Sequence, residues 1–177
     1  QVEKLGEPVS FVFKPIGSST IPVDRVALQK FNNDLASFRR VVTGTNSFLG
    51  DTKEQMKFLK KAAMQVPGDN TALLKEIREI EKVIAQLDMQ MNGDGSIAKR
   101  EFETLPGIVG LVEGIVFNLW ITSAQQTGTY ETKLADAKTK FRPVYDQIKQ
   151  LKTRVESLDS KLEGAKAPAT PGRLPEW

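Results

Sequence analysis

The residues best placed to do chemistry are in Gln90-Met91-Asn92-Gly93-Asp94-Gly95-Ser96-Ile97-Ala98-Lys99-Arg100-Glu101-Phe102. Their order resembles a calcium-binding EF-hand loop. Asn92, Asp94 and Ser96 supply short oxygen ligands early, Gly95 stands at the sharp-turn position, and Glu101 falls where a bidentate carboxylate closes the shell. Two features oppose a calcium site. The first loop position is Gln90, which lacks an anionic oxygen, and Pro106 cuts the exiting helix short. The competing reading is a helix terminus followed by a glycine-rich turn.

Glu113 is the second candidate, the single acid inside a strongly apolar stretch. Burial raises a carboxyl pKa. Buried charges are as a rule paired, so an Arg or Lys from another helix is expected beside it. No other pair of carboxylates stands out as a glycosidase pair, because any solvated helical face offers many.

Composition removes other chemistries. The chain has no histidine and no cysteine. Histidine acid–base catalysis, thiolate nucleophiles, disulfides and the usual zinc sites are thereby excluded. No G-x-S-x-G, S-x-x-K or phosphate-loop pattern occurs. No catalytic residue is assigned, and the chain is read as a non-enzyme. The net charge of +3, from 25 basic and 22 acidic residues, is spread along amphipathic segments. That distribution points to no nucleic-acid or anionic-membrane partner.

The elements that position these residues are helices. From Asp24, a plausible N-cap, Leu28, Phe31, Leu35, Phe38, Val42, Thr45, Leu49, Thr52, Met56, Leu59, Ala63 and Val66 recur at alternating spacings of three and four. That is a heptad seam, stopped by Pro67-Gly68. Gly44 and Gly50 lie within it and suggest close approach of a neighbouring helix or, alternatively, a local break. A second helix, capped at Asp69 or Asn70, carries Leu73, Ile77, Ile80, Ile84, Leu87 and Met91 and ends at Asn92-Gly93.

The third helix, 107–124, leaves almost no polar face, so central burial is expected for it. Glu113, Asn118 and its short length argue against a membrane span. Gly107, Gly110 and Gly114 would let another helix approach. A fourth helix, 128–164, repeats the heptad seam from Tyr130 to Leu162, with Pro143 expected to kink it and Gly164 to stop it.

The predicted fold is therefore mainly α: an up-down helical bundle of two long and two shorter helices over residues 23–166. The short helices lie end to end along the long pair. Long seams can also be shared between two chains, giving a dimer. An extended tail, 167–177, follows, with Trp177 as a docking group. Ahead of the bundle, residues 1–22 contain a period-2 strand pattern, with Val9, Phe11 and Phe13 on one face. That β segment either packs on the helices or is the last strand of an upstream β domain. The second reading is preferred because the chain begins at Gln1 without an initiator Met, as a fragment or processed chain would.

Several stretches together carry a family resemblance: Leu5-Gly6-Glu7-Pro8-Val9-Ser10-Phe11 with Lys14-Pro15; Phe58-Leu59-Lys60-Lys61-Ala62; Met91-Asn92-Gly93-Asp94; Pro106-Gly107-Ile108; and Thr170-Pro171-Gly172-Arg173-Leu174-Pro175-Glu176-Trp177. They resemble the C-terminal region of bacterial sortilin-like proteins, whose BNR-type repeats form a β-propeller and which are often labelled glycosyl hydrolases. The resemblance implies an upstream immunoglobulin-like segment and propeller as same-chain partners, and export to the periplasm, cell surface or medium. It implies a structural or interaction role for the helical part. It carries no catalytic residue onto these positions. The alternatives are a glycosyl-hydrolase fragment and a calcium-binding helical module through residues 90–101.

Overall fold

The computed structural model describes residues 6–14, 22–122 and 124–171, and everything below concerns those residues. They are mainly helical, in five helices: α1 (Arg25–Ala63), α2 (Thr71–Asn92), α3 (Gly95–Ala98), α4 (Ile108–Trp120) and α5 (Gly128–Gly164).

Each boundary has a local cause. The Asp24 carboxylate accepts hydrogen bonds from the Val26 and Ala27 amides, both at 3.0 Å, and so caps α1 as expected. At the start of α2 the two expected caps divide the work: Asp69 accepts from the Thr71 amide, while the Asn70 side chain donates back to the Ala63 carbonyl. α5 ends at Gly164, as expected, and the turn that follows closes it. Lys166 adopts φ 56°, the Ala167 amide donates to the Leu162 carbonyl and the Lys166 amide to the Glu163 carbonyl. This is a Schellman closure with lysine where glycine is the usual residue. α5 also continues through Pro143. The cost of that proline is one absent amide donor opposite the Thr139 carbonyl.

The heptad seams form the core. Phe31, Leu35, Val42, Leu49, Met56, Leu59 and Ala63 of α1 are buried against Ile77, Ile80, Ile84, Leu87 and Met91 of α2. Leu134, Phe141, Ile148, Leu151, Val155 and Leu162 of α5 complete that cluster. Thr45 and Thr52 occupy seam positions without leaving a hydroxyl unpaired, because each Oγ1 donates to the carbonyl four residues back at 2.8 Å. Phe38 meets Phe141 edge to face, with centroids 5.4 Å apart.

Direction follows from cross-helix pairs. Asp34 of α1 meets Lys138 of α5, and Phe38 meets Phe141, so the two long helices run parallel. α2 returns antiparallel to α1: Lys60 pairs with Glu81 and Lys53 with Asp88. α4 continues in the direction of α2, placing Glu113 beside Arg39. The bundle is thus three-membered and up-down-up in path, with α2 and α4 end to end as its broken middle member. The long helices span about 58 Å and 55 Å at 1.5 Å per residue over their 39 and 37 residues.

Three sequence-based expectations need correction. No strand is present among the described residues. Residues 6–14 have no regular structure, and Val9, Phe11, Val12 and Phe13 are exposed; a strand needs a second strand beside it, and the described residues contain none. The rest of the 1–22 segment, at 1–5 and 15–21, lies outside those residues, as does Trp177. Gly44 and Gly50 are not close-approach positions, since a Cβ on either would meet nothing within 4 Å. Finally, α4 is not centrally buried. Ile108, Val112 and Ile115 face the core, while Phe117, Trp120 and Ile121 stand out from it.

Candidate interaction surface

The joint between α2 and α4 determines where every candidate residue lies. α2 ends because Gly93 takes φ +85°, a backbone conformation in which side chains are disfavoured. The chain makes the short helix α3, turns at Glu101 with φ 61°, and comes back so that Gly107 rests on the end of α2. A Cβ on Gly107 would lie 2.5 Å from both the Gly93 nitrogen and the Met91 carbonyl oxygen. That is backbone against backbone, and only glycine fits. The spacing of Gly107, Gly110 and Gly114 suggested helix packing. Gly107 serves a crossing of backbones instead, and Gly114 faces open space.

In this setting the EF-like loop takes the form of a capped turn. Asp94 Oδ1 accepts from the Ser96 amide at 2.9 Å, the Ser96 hydroxyl at 2.6 Å and the Ile97 amide at 3.4 Å. It is the N-cap of α3, so helix replaces the open loop where a calcium-binding segment would wrap its ion. Hydrogen bonds from Ser96 hold the Asp94 carboxyl below the usual carboxylate range. The Asn92 amide is turned away from the loop, donating to Asp88 at 2.7 Å and Asn46 at 3.0 Å. Glu101 is exposed. The sequence candidates Asn92, Asp94, Ser96 and Glu101 are therefore engaged in separate tasks. Among the described residues no group of three or more His, Cys, Asp or Glu side chains comes together as a metal-holding cluster.

Glu113 does have the expected cationic partner. Arg39 of α1 forks onto its carboxylate, Nε to Oε1 at 2.7 Å and Nη2 to Oε2 at 2.9 Å, and the hydrogen bond raises the arginine's already high pKa. The pair is not buried, with side chains 48% and 40% exposed. It therefore sets the register of α4 on α1 more than it contributes stability, exposed pairs being worth about 0–1 kcal/mol. Lys53–Asp88, Lys60–Glu81, Lys138–Asp34 and Lys161–Glu76 do the same elsewhere. Burial pushes the Asp88 carboxyl up, but hydrogen bonds from Lys53 and Asn92 together with the lysine charge outweigh it and hold that group low.

The concavities are shallow furrows between helices. One of about 340 Å³ runs between α1 and α2 beside Lys53, Lys57, Glu81 and Asp88. Another of about 240 Å³ lies between α1 and α4, floored by Leu35, Ala36, Val116 and Leu119 and walled by Arg39 and Trp120. The second opens onto the surface that sequence reasoning missed. The outer side of α4 and its approach expose Phe102, Leu105, Phe117, Trp120 and Ile121. The signal was present in the sequence, since a helix apolar all round carries two stripes, but periodicity does not say that one stripe stays uncovered. No helix among the described residues is long and apolar enough to cross a membrane.

No family model, curated protein or solved structure matches this chain.

Proposed function

We propose that this chain is a non-catalytic structural and interaction module. In this reading it forms the C-terminal part of an exported sortilin-like β-propeller protein, in the periplasm or at the cell surface. The observation that carries the interaction role is the uncovered apolar side of α4. Phe117, Trp120 and Ile121 are exposed together at one end of α4, and large apolar side chains grouped in this way favour a contact site over scattered surface residues. The charged residues that bridge helices fix the register of the bundle, which suits a rigid support better than a reaction centre. In the same reading the exposed run Val9–Phe13 is the end of an upstream β domain and pairs with that domain's sheet.

The test compares this chain with its Phe117→Glu/Trp120→Glu variant as bait in periplasmic and surface extracts. Both positions are exposed, so the variant should keep its helicity. A partner retained by the parent chain and lost by the variant is the expected result. Equal capture by both, or turnover of a glycan by this chain alone, would refute the reading.

A further inference from the structure

The interaction reading leaves open what covers α4, and the helix itself narrows the choice. α4 carries two seams. The inner one, Ile108, Val112, Ile115 and Leu119, follows spacings of four, three and four and packs on the bundle. The outer one repeats that spacing with Gly110, Gly114, Phe117 and Ile121. Its first half is low: Gly110 and Gly114 are exposed, a Cβ on Gly114 would meet nothing within 4 Å, and one on Gly110 would meet only Pro106, 3.3 Å away. Its second half projects, with Phe117 66% and Ile121 73% exposed.

A low half and a projecting half on one seam are self-complementary under a two-fold axis. We infer that α4 is the interface of a homodimer, in which the outer seams of two copies pair antiparallel. Phe117 of each copy seats over Gly110 and Gly114 of the other, Ile121 meets the start of the opposing helix, and the axis passes near Gly114. An isologous contact requires this reciprocity, and seam knobs entering holes supply the packing.

Two further observations favour a second copy over an unrelated partner. α4 contains one charged residue, Glu113, which Arg39 neutralises, and its approach carries Lys99 and Arg100 against Glu101 and Glu103, so two copies bring no net like charge together. The area also fits. Phe102, Leu105, Phe117, Trp120 and Ile121 are 67%, 90%, 66%, 86% and 73% exposed. At about 200 Å² for an aromatic side chain and somewhat less for an aliphatic one, they leave roughly 750 Å² of apolar surface uncovered. A standard interface hides about 800 Å² per partner.

Sedimentation across about 1–200 µM chain, the range in which interfaces of modest quality associate, reads the mass directly. It should climb from the 19.6 kDa of one chain toward twice that value. The Phe117→Glu/Trp120→Glu variant should stay at the monomer mass with unchanged circular dichroism. Because the chain has no cysteine, a Gly114→Cys variant under mild oxidant should cross-link to itself, whereas Ser160→Cys on α5 should not. A chain that remains monomeric throughout, with no Gly114→Cys cross-link, overturns the dimer. The inference rests on α4 being a contact surface, and the two fail separately: a monomeric chain whose α4 variant still loses an extract partner sinks the dimer alone.

Discussion

Replacing Gly107 with alanine is the most direct probe of the joint between α2 and α4. Gly107 has φ −66° and ψ 173°, a conformation open to any residue, so the substitution carries no backbone strain. By reducing the freedom of the unfolded chain, Gly→Ala at such a site would by itself add about 0.4–1 kcal/mol. The sterics act the other way. The new methyl would lie 2.5 Å from the Gly93 nitrogen and the Met91 oxygen and 2.7 Å from the Asn92 carbonyl carbon. These are backbone atoms of the last turn of α2, which cannot swing aside like a side-chain tip. Overpacking of one such group costs about 1–3 kcal/mol, at times more. With the joint wedged open, Met91 and Ile108, both buried here, also lose packing. A net loss of about 2 kcal/mol follows, or about 4–8 °C in Tm for a chain of this size. Gly50→Ala is the matched control. Gly50 lies inside α1 with nothing within 4 Å of its Cβ, so alanine should stabilise by roughly 0.5–1 kcal/mol. Thermal unfolding followed at 222 nm, with urea titration as a second measure, reads both. A Gly107→Ala chain as stable as Gly50→Ala would refute the backbone crossing and the end-to-end placement of α2 and α4.

Three further outcomes are expected. Lys166→Gly should raise stability by about 1 kcal/mol, since a left-handed residue with a Cβ bears about 1–2 kcal/mol of strain, and equilibrium urea unfolding checks it. Acid should destabilise the bundle in a defined window: Asp69, Asp88 and Asp94 are all held below the ordinary carboxylate value. Their contribution is therefore fully present above the unfolded value of about 3.9 and is lost as pH falls through the lower folded values. A Tm flat from pH 6 to 4 and falling below should be seen, with the decline reduced in Asp88→Asn. Millimolar calcium should leave Tm within about 1 °C of its starting value, because ligand binding to the native state would raise it; a clear increase would restore the EF-like loop as an ion site.

The long seams were legible because burial along a straight helix repeats every three and four residues, and Phe31 through Ala63 and Leu134 through Leu162 obey that rule. The Asp24 cap and the cationic partner of Glu113 were legible for the same reason, each following from a local or pairwise requirement. What sequence could not give was long-range. The wish of Glu113 for a cation does not name Arg39, 74 positions away. A glycine does not announce whether it is needed, and Gly107 is while Gly44 and Gly50 are not. α3 went unseen because a four-residue helix needs only a cap, and Asp94 looked like a ligand. The outer stripe of α4 read as core because composition measures how apolar a face is, not whether this chain supplies its cover. At the front, period-2 alternation suggested a strand, but alternation does not supply a pairing partner, and residues 6–14 have no regular structure.

The parallel run of α1 and α5 has a mechanical consequence. The Asp24 amide donates to Gln125 Oε1, so the chain enters the rod beside the α4–α5 connection. It leaves at the other end, where Thr170 is buried in a furrow with Phe58, Ala62 and Gln65. Entry and exit are separated by nearly the whole length of the long helices. Tension between them acts along both helix axes and loads the seams in shear, straining many contacts at once. Peeling, in which contacts yield one after another, would need both attachments at the same end. A pull applied between Asp24 and Thr170 would therefore run along the rod and meet many seam contacts together instead of one at a time.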